Sequence, residues 1–162
     1  MKKHLLAANN FFLGVTNFLI LPLPDSWQLV DVLTPPDVDA SFTSQNISWV
    51  TSGSVNYLLA DQKRSLSLEL LLQIKKGNTQ RFKPILKPIE SQGILWIGKH
   101  AATQTFGKIT RGVFKKRWEE GLQILLPCEV LHRTLCLTFT GNCPREVLQE
   151  ILKVIPYAEC HT

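Results

Sequence analysis

Leu122-Gln123-Ile124-Leu125-Leu126 and Leu135-Cys136-Leu137-Thr138-Phe139, with Glu129 to His132 between them, decide the fold of this chain. Leu122, Ile124 and Leu126 recur at period two, as do Leu135, Leu137 and Phe139, so each segment is a strand with one apolar face. The tetrapeptide Glu129-Val130-Leu131-His132 between them is long enough to reverse the chain, which makes the pair an antiparallel hairpin. A sheet with one apolar face needs a cover, and the next segment supplies one. After Gly141-Asn142-Cys143-Pro144 the residues Val147, Leu148, Ile151, Leu152 and Ile155 follow helical spacing. Asn142 or Cys143 is the expected cap, with Pro144 in the first helical position, Glu146 in the first turn and Pro156 as the stop.

Working towards the N-terminus, Leu66, Leu68, Leu70, Leu72 and Ile74 alternate on a long strand that closes at Lys75-Lys76-Gly77-Asn78. Ile94 to Ile97 and Ala102 to Ile109 read as two strands about Gly98-Lys99-His100, or as one strand bulged at Gly98. Prolines 84 and 88 limit residues 79–92 to one or two helical turns around Ile85-Leu86-Lys87. Asn46 to Thr51 and Ser54 to Ala60 flank Ser52-Gly53, a connection suited to a tight hairpin. Trp27 to Val32 is a short strand, and Phe18 to Leu21 is a core strand closed by the turn Pro22-Leu23-Pro24-Asp25-Ser26. The expectation is one α+β domain over residues 1–162. It consists of an antiparallel sheet of about six to eight strands with a C-terminal helix packed on it, the N-terminal run being a short N-terminal helix or a strand. Residues 1–23 would cover the core or dock elsewhere.

At 162 residues and 44% hydrophobic content the chain is long and apolar enough for one globular core. Its net charge of +5 conceals a strong asymmetry. Between His4 and Gln62 there are five Asp and no Lys or Arg, whereas Lys63 to Arg117 holds thirteen basic residues against Glu69 and Glu90. The basic middle points to an anionic partner, nucleic acid or an acidic protein. Its richest stretch supplies Lys108, Arg111, Phe114, Lys115, Lys116, Arg117 and Trp118: cations for phosphates and aromatic rings for unpaired bases. Lys75, Lys76, Arg81 and Lys83, with Lys87, extend that face if the two turns share one end of the sheet. The competing reading is a set of solvated loops that keep edge strands from pairing.

Lys2 and Lys3 before the uncharged run Leu5 to Leu23 resemble a secretory leader. However, Asn9, Asn10, Asn17 and the prolines spoil both a leader and a spanning helix, so a cytoplasmic location is expected. Asn46-Ile47-Ser48 matches a glycosylation acceptor, but its position in a strand makes chance the better explanation. Cys128, Cys136, Cys143 and Cys160 contain no CxxC pair. Cys143 and Cys160 flank a helix that separates them by about 18 Å, too far to bridge, while a bridge from Cys128 to either stays open. A ligand set could be assembled from Cys128, His132, Cys160 and His161. Free cysteines are commonly buried without a metal, so no metal and no cofactor is assigned. His100, beside the glycine turn, has no partner motif for acid–base work. No GxSxG, Walker, GxGxxG, HExxH or EF-hand pattern occurs, and no catalytic residue is assigned.

Phe18 to Leu23 followed by Pro24-Asp25-Ser26-Trp27, together with the terminal hairpin and closing helix, is similar to PsbP-like domains. That resemblance implies an α/β/α sandwich acting as a binding or assembly module. Gly98-Lys99-His100-Ala101, Arg111-Gly112 and Glu159-Cys160-His161 also look like parts of small uncharacterised proteins of thermophilic archaea. The resulting expectation is a non-enzymatic binding module with a basic face. The alternatives are an accessory subunit of a larger, membrane-associated assembly, with Leu5 to Leu23 as its docking segment, and a small hydrolase or ligand-binding enzyme.

Overall fold

The computed structural model describes residues 2–7, 18–23, 27–29, 48–50, 54–60, 65–111, 116–141 and 143–161. The strands run β1 (Lys2–Ala7), β2 (Phe18–Leu23), β3 (Trp27–Leu29), β4 (Ser48–Val50), β5 (Ser54–Ala60), β6 (Ser65–Lys76), β7 (Ile89–Ile97), β8 (His100–Arg111), β9 (Arg117–Cys128) and β10 (Arg133–Gly141). Helix α1 (Arg145–Val154) and a 3-10 turn (Ile155–Tyr157) follow. One antiparallel sheet has the order β3-β5-β6-β10-β9-β8-β7, and a separate sheet has the order β2-β1-β4. The chain is therefore α+β, an antiparallel sheet with a C-terminal helix. The turn signals led to a single sheet, whereas the described strands divide between two, seven in the larger and three in the smaller. Five neighbours of the larger sheet, β6-β10-β9-β8-β7, make the unit that carries most of the core, and β1, β2 and β4 belong to the second sheet.

The β9–β10 hairpin forms as the alternation requires, with Leu122 opposite Phe139, Ile124 opposite Leu137 and Leu126 opposite Leu135. All six are 0% exposed, so this face is the centre of the core. Leu68, Leu70 and Leu72 of β6 extend it on one side, and Ala102 and Phe106 of β8 with Ile97 of β7 on the other. Its cover is α1, through Leu148 and Ile151, together with Ile155 and with Leu19 and Leu21 of β2. Burying a Leu or Ile side chain contributes about 1.5–3 kcal/mol, so these covering residues hold helix and β2 to the sheet far more firmly than helix propensity could.

Several local expectations are corrected. Of the helix or strand left open for the N-terminal run, residues 2–7 take the strand. Ser48–Val50 does not form a hairpin with Ser54–Ala60: β4 pairs in parallel with β1, while β5 pairs with β3 and β6. Pairing preference among short apolar strands is set by which face each must bury, which local sequence does not encode. Pro144 is extended, with ψ 152°, and caps the helix instead of opening it.

Residues 79–88 make no helical turn; they are an irregular strap across the face opposite the core. Its side chain Leu86, 3% exposed, sits over the facing pair Gly107–Gly121, where a Cβ on either glycine would meet Leu86. Two prolines exclude helix here, and the glycine pair provides the notch that holds the strap instead.

Candidate metal centre

Strand polarity gives the large sheet two distinct ends. At the lower end β6 and β9 finish and β8 and β10 begin, with Arg133 opposite both Lys76 and Cys128. At the upper end β8 finishes opposite the start of β9, Arg111 facing Arg117. Twelve residues of β9 separate the two, about 36 Å at the usual rise per residue.

Four soft or borderline ligands meet at the lower end: His100, Cys128, Cys160 and His161. One ligand atom from each lies within 4.8 Å of all the others. Three separate pieces of chain deliver them. His100 opens β8 directly after the two-residue turn Gly98-Lys99, where Gly98 has φ 58°, the region glycine occupies at no steric cost. Cys128 closes β9 and is 0% exposed. Cys160 and His161 lie beyond α1 on a tail whose course is fixed by backbone hydrogen bonds. Ile20 N–H donates to Glu159 O at 2.9 Å, Glu159 N–H donates to Ile20 O at 2.8 Å, and Gly98 N–H donates to Pro156 O at 3.2 Å. The tail is thus tied to β2 and to the β7–β8 turn immediately beside its two ligands.

Within the cluster the Cys160 and Cys128 sulfurs are 3.2 Å apart, and the Nε2 atoms of His100 and His161 are 3.1 Å apart with their rings edge to face. A tetrahedron with zinc-type bonds of 2.0–2.3 Å has edges of about 3.3–3.8 Å. The two short contacts would open by about half an ångström or less, and the longest would close by up to about 1.3 Å. Shifts of that size are on the scale of side-chain rotation, so the set fits a tetrahedral Cys2His2 centre.

Arg133 lies under the cluster, 5% exposed, and donates through Nη2 to the carbonyl of Cys160. Burial lowers its pKa, and the neighbouring Cys128 and Cys160 oppose that shift. The Cys160 thiol is pushed up to about 12, first by burial and then by Cys128, with Arg133 pulling the other way. Without a cation the Cys160 thiol stays protonated; a bound cation of the zinc type would displace its proton. Beside the cluster opens a cleft of about 440 Å³, lined among others by Lys99, His100, Val130, Glu159, Cys160 and His161.

Three members of the ligand set expected from the sequence are in place. His132 is the exception: it sits exposed in the β9–β10 turn with φ 49° and is not part of the cluster. His100 takes its place, a residue set apart in sequence only by its neighbouring glycine turn. This convergence, which the spacing of the cysteines did not reveal, makes the four residues a candidate metal site.

The expected anion face does not converge. Lys75 and Lys76 are at the lower end, whereas Lys116, Arg117 and Trp118 are at the upper end. Phe114 and Lys115 lie outside the described residues, as does the side chain of Arg111. Arg81, Lys83 and Lys87 are exposed along the strap between the two ends. Lys108 is engaged within the protein, 3.5 Å from Glu120 and 4.0 Å from Glu90, and both carboxylates also meet Arg145. Arg117 is 3.6 Å from Glu119. A second cleft, of about 230 Å³ between the strap and the sheet, is lined by Phe82, Leu86, Thr105, Gln123 and other residues that do not titrate near neutrality. Among the described residues no helix is long and apolar enough to cross a membrane.

Comparison of the chain with known protein families, with curated proteins and with solved structures finds no match.

Proposed function

We propose that this chain is a non-enzymatic binding or assembly module whose C-terminal tail is fastened to the sheet by a divalent metal of the zinc class, held by His100, Cys128, Cys160 and His161. The observation that carries the reading is the convergence of four ligand atoms within 4.8 Å from three separate pieces of chain. Two thiolates and two imidazoles suit zinc, and hard cations such as magnesium or calcium would be a poor match. Four protein ligands complete a tetrahedron and leave no position for substrate, which favours a binding role over a hydrolytic one. The resemblance to PsbP-like domains points the same way.

The test is metal content and cobalt substitution of the full chain. About one equivalent of zinc per chain is expected, with cobalt giving the intense visible bands of a tetrahedral two-thiolate site. Loss of both in Cys128→Ser and His100→Ala, with His132→Ala unaffected, completes the expectation. Sub-stoichiometric metal, or equal loss in His132→Ala, overturns it.

An anionic partner remains the proposed ligand for the basic residues, in a form the layout reshapes. Exposed Lys116, Arg117 and Trp118 form an upper patch, and Lys75, Lys76, Arg81, Lys83 and Lys87 form a lower patch and diagonal. Binding of single-stranded nucleic acid would weaken steeply with salt. Neutralising Lys116 and Arg117 would abolish it if the upper patch serves, and leave it intact if the diagonal does.

A further inference from the structure

We propose that Cys128 and Cys160 form an oxidation site for small hydroperoxides, and that the disulfide they make expels the bound metal. The inference rests on the metal reading and adds its regulation. Three observations carry it. The two sulfurs are already in contact at 3.2 Å, so S–S bond formation needs only a short side-chain movement. Cys160 lines the cleft of about 440 Å³ while Cys128 does not, which gives the pair one reachable sulfur and one sheltered one. Both are nearly inaccessible, at 3% and 0% exposure, so an oxidant that reaches Cys160 from the cleft has to be as small as a hydroperoxide.

Metal binding keeps both sulfurs as thiolates, the nucleophilic form. The Cys160 sulfur attacks one peroxide oxygen. An S–O bond forms, the O–O bond breaks, and the departing alkoxide or hydroxide takes a proton from water to leave as alcohol or water. The Cys128 sulfur then attacks the Cys160 sulfur. The S–S bond forms, the S–O bond breaks, and the second oxygen leaves as water with another proton. Two electrons have passed from sulfur to oxygen, and the divalent ion has lost both of its anionic ligands. His100 and His161 alone hold it too weakly, and it leaves through the cleft. Cys136 and Cys143, buried elsewhere and absent from the cluster, take no part.

The experiment treats the zinc-loaded full chain with hydrogen peroxide and follows zinc with a chromophoric chelator, free thiols by titration and linkage by peptide mapping. About one equivalent of zinc should appear in step with the loss of two thiols. The map should join Cys128 to Cys160, and dithiothreitol with added zinc should reverse the change. A Cys136→Ser/Cys143→Ser chain should behave identically, its fold checked by far-ultraviolet circular dichroism. Zinc retained with all thiols intact overturns the proposal and leaves the metal reading standing, as does zinc release with Cys160 carried to sulfinic acid and no link. A chain that takes up no zinc yet forms the Cys128–Cys160 link overturns the metal reading and the expulsion step together, leaving only the oxidation chemistry.

Discussion

The two ends of the large sheet each hold a cluster of polar side chains, and the clusters solve their electrostatics in opposite ways. At the upper end Lys108 and Arg145 face Glu90 and Glu120, two positive and two negative groups that neutralise one another. Their side chains are between 23% and 39% exposed, so water screens what remains. At the lower end two thiols and two imidazoles gather, with Arg133 beside the thiols and no carboxylate in the ligand set. Hydrogen bonds between like groups, sulfur to sulfur and imidazole to imidazole, are weak compensation for burying them. The upper cluster balances its charges within the protein, whereas the lower one would be completed by the proposed cation.

Withdrawal of metal should separate the two ends most visibly. Chelation, or Cys128→Ser, should lower the thermal midpoint by an amount worth about 4 kcal/mol where free zinc had stood a thousandfold above its Kd. The same treatment of a Glu120→Gln chain should show that loss undiminished, by calorimetry. Arg133→Leu comes next. Removing a buried cation that donates to the Cys160 carbonyl leaves that acceptor unpaired, at about 1–3 kcal/mol in chemical denaturation. It should also weaken metal retention against a competing chelator.

Alkaline titration addresses the thiols outside the centre. Cys136 and Cys143 are each pushed up to about 11, in both cases chiefly by burial. From pH 9 to 11 the unfolded chain loses these protons while the folded chain keeps them. Stability is therefore full below 9 and falls through that window, by up to about 3 kcal/mol for each thiol. Alkylation of the two by iodoacetamide should be slow at pH 8 and accelerate towards 11; rapid labelling of both at pH 8 in the folded chain would refute their burial. The smallest effect belongs to the upper end. Glu120→Gln should cost about 1 kcal/mol or less and vanish in high salt, since partly exposed ion pairs contribute little.

Much of the core was legible because period-two rows admit one interpretation when a single face is buried. The β9–β10 hairpin, the β6 row and the amphipathic α1 all follow from residue type and spacing. Strand pairing at a distance was not legible. Nothing local distinguishes β4 as a partner of β1 from β4 as a partner of β5. The strap over Gly107 and Gly121 was equally hidden, since a notch requires two glycines brought opposite each other by register. Of the cluster, Cys128, Cys160 and His161 could be grouped from composition near the C-terminus. His100 could not, because it is twenty-eight residues before Cys128 and enters only through the β7–β8 turn.

Residue type and spacing were enough to establish the α+β class, the apolar faces and the supply of soft ligands, because periodicity and side-chain chemistry are local properties. Long-range packing was needed to settle which histidine joins the cysteines and how far apart the basic residues stand. Both depend on strand order and strand direction: antiparallel pairing puts the start of β8 beside the end of β9, and it carries Lys76 and Arg117 to opposite ends of one sheet. Those are set by the global burial of the core rather than by any short stretch of chain.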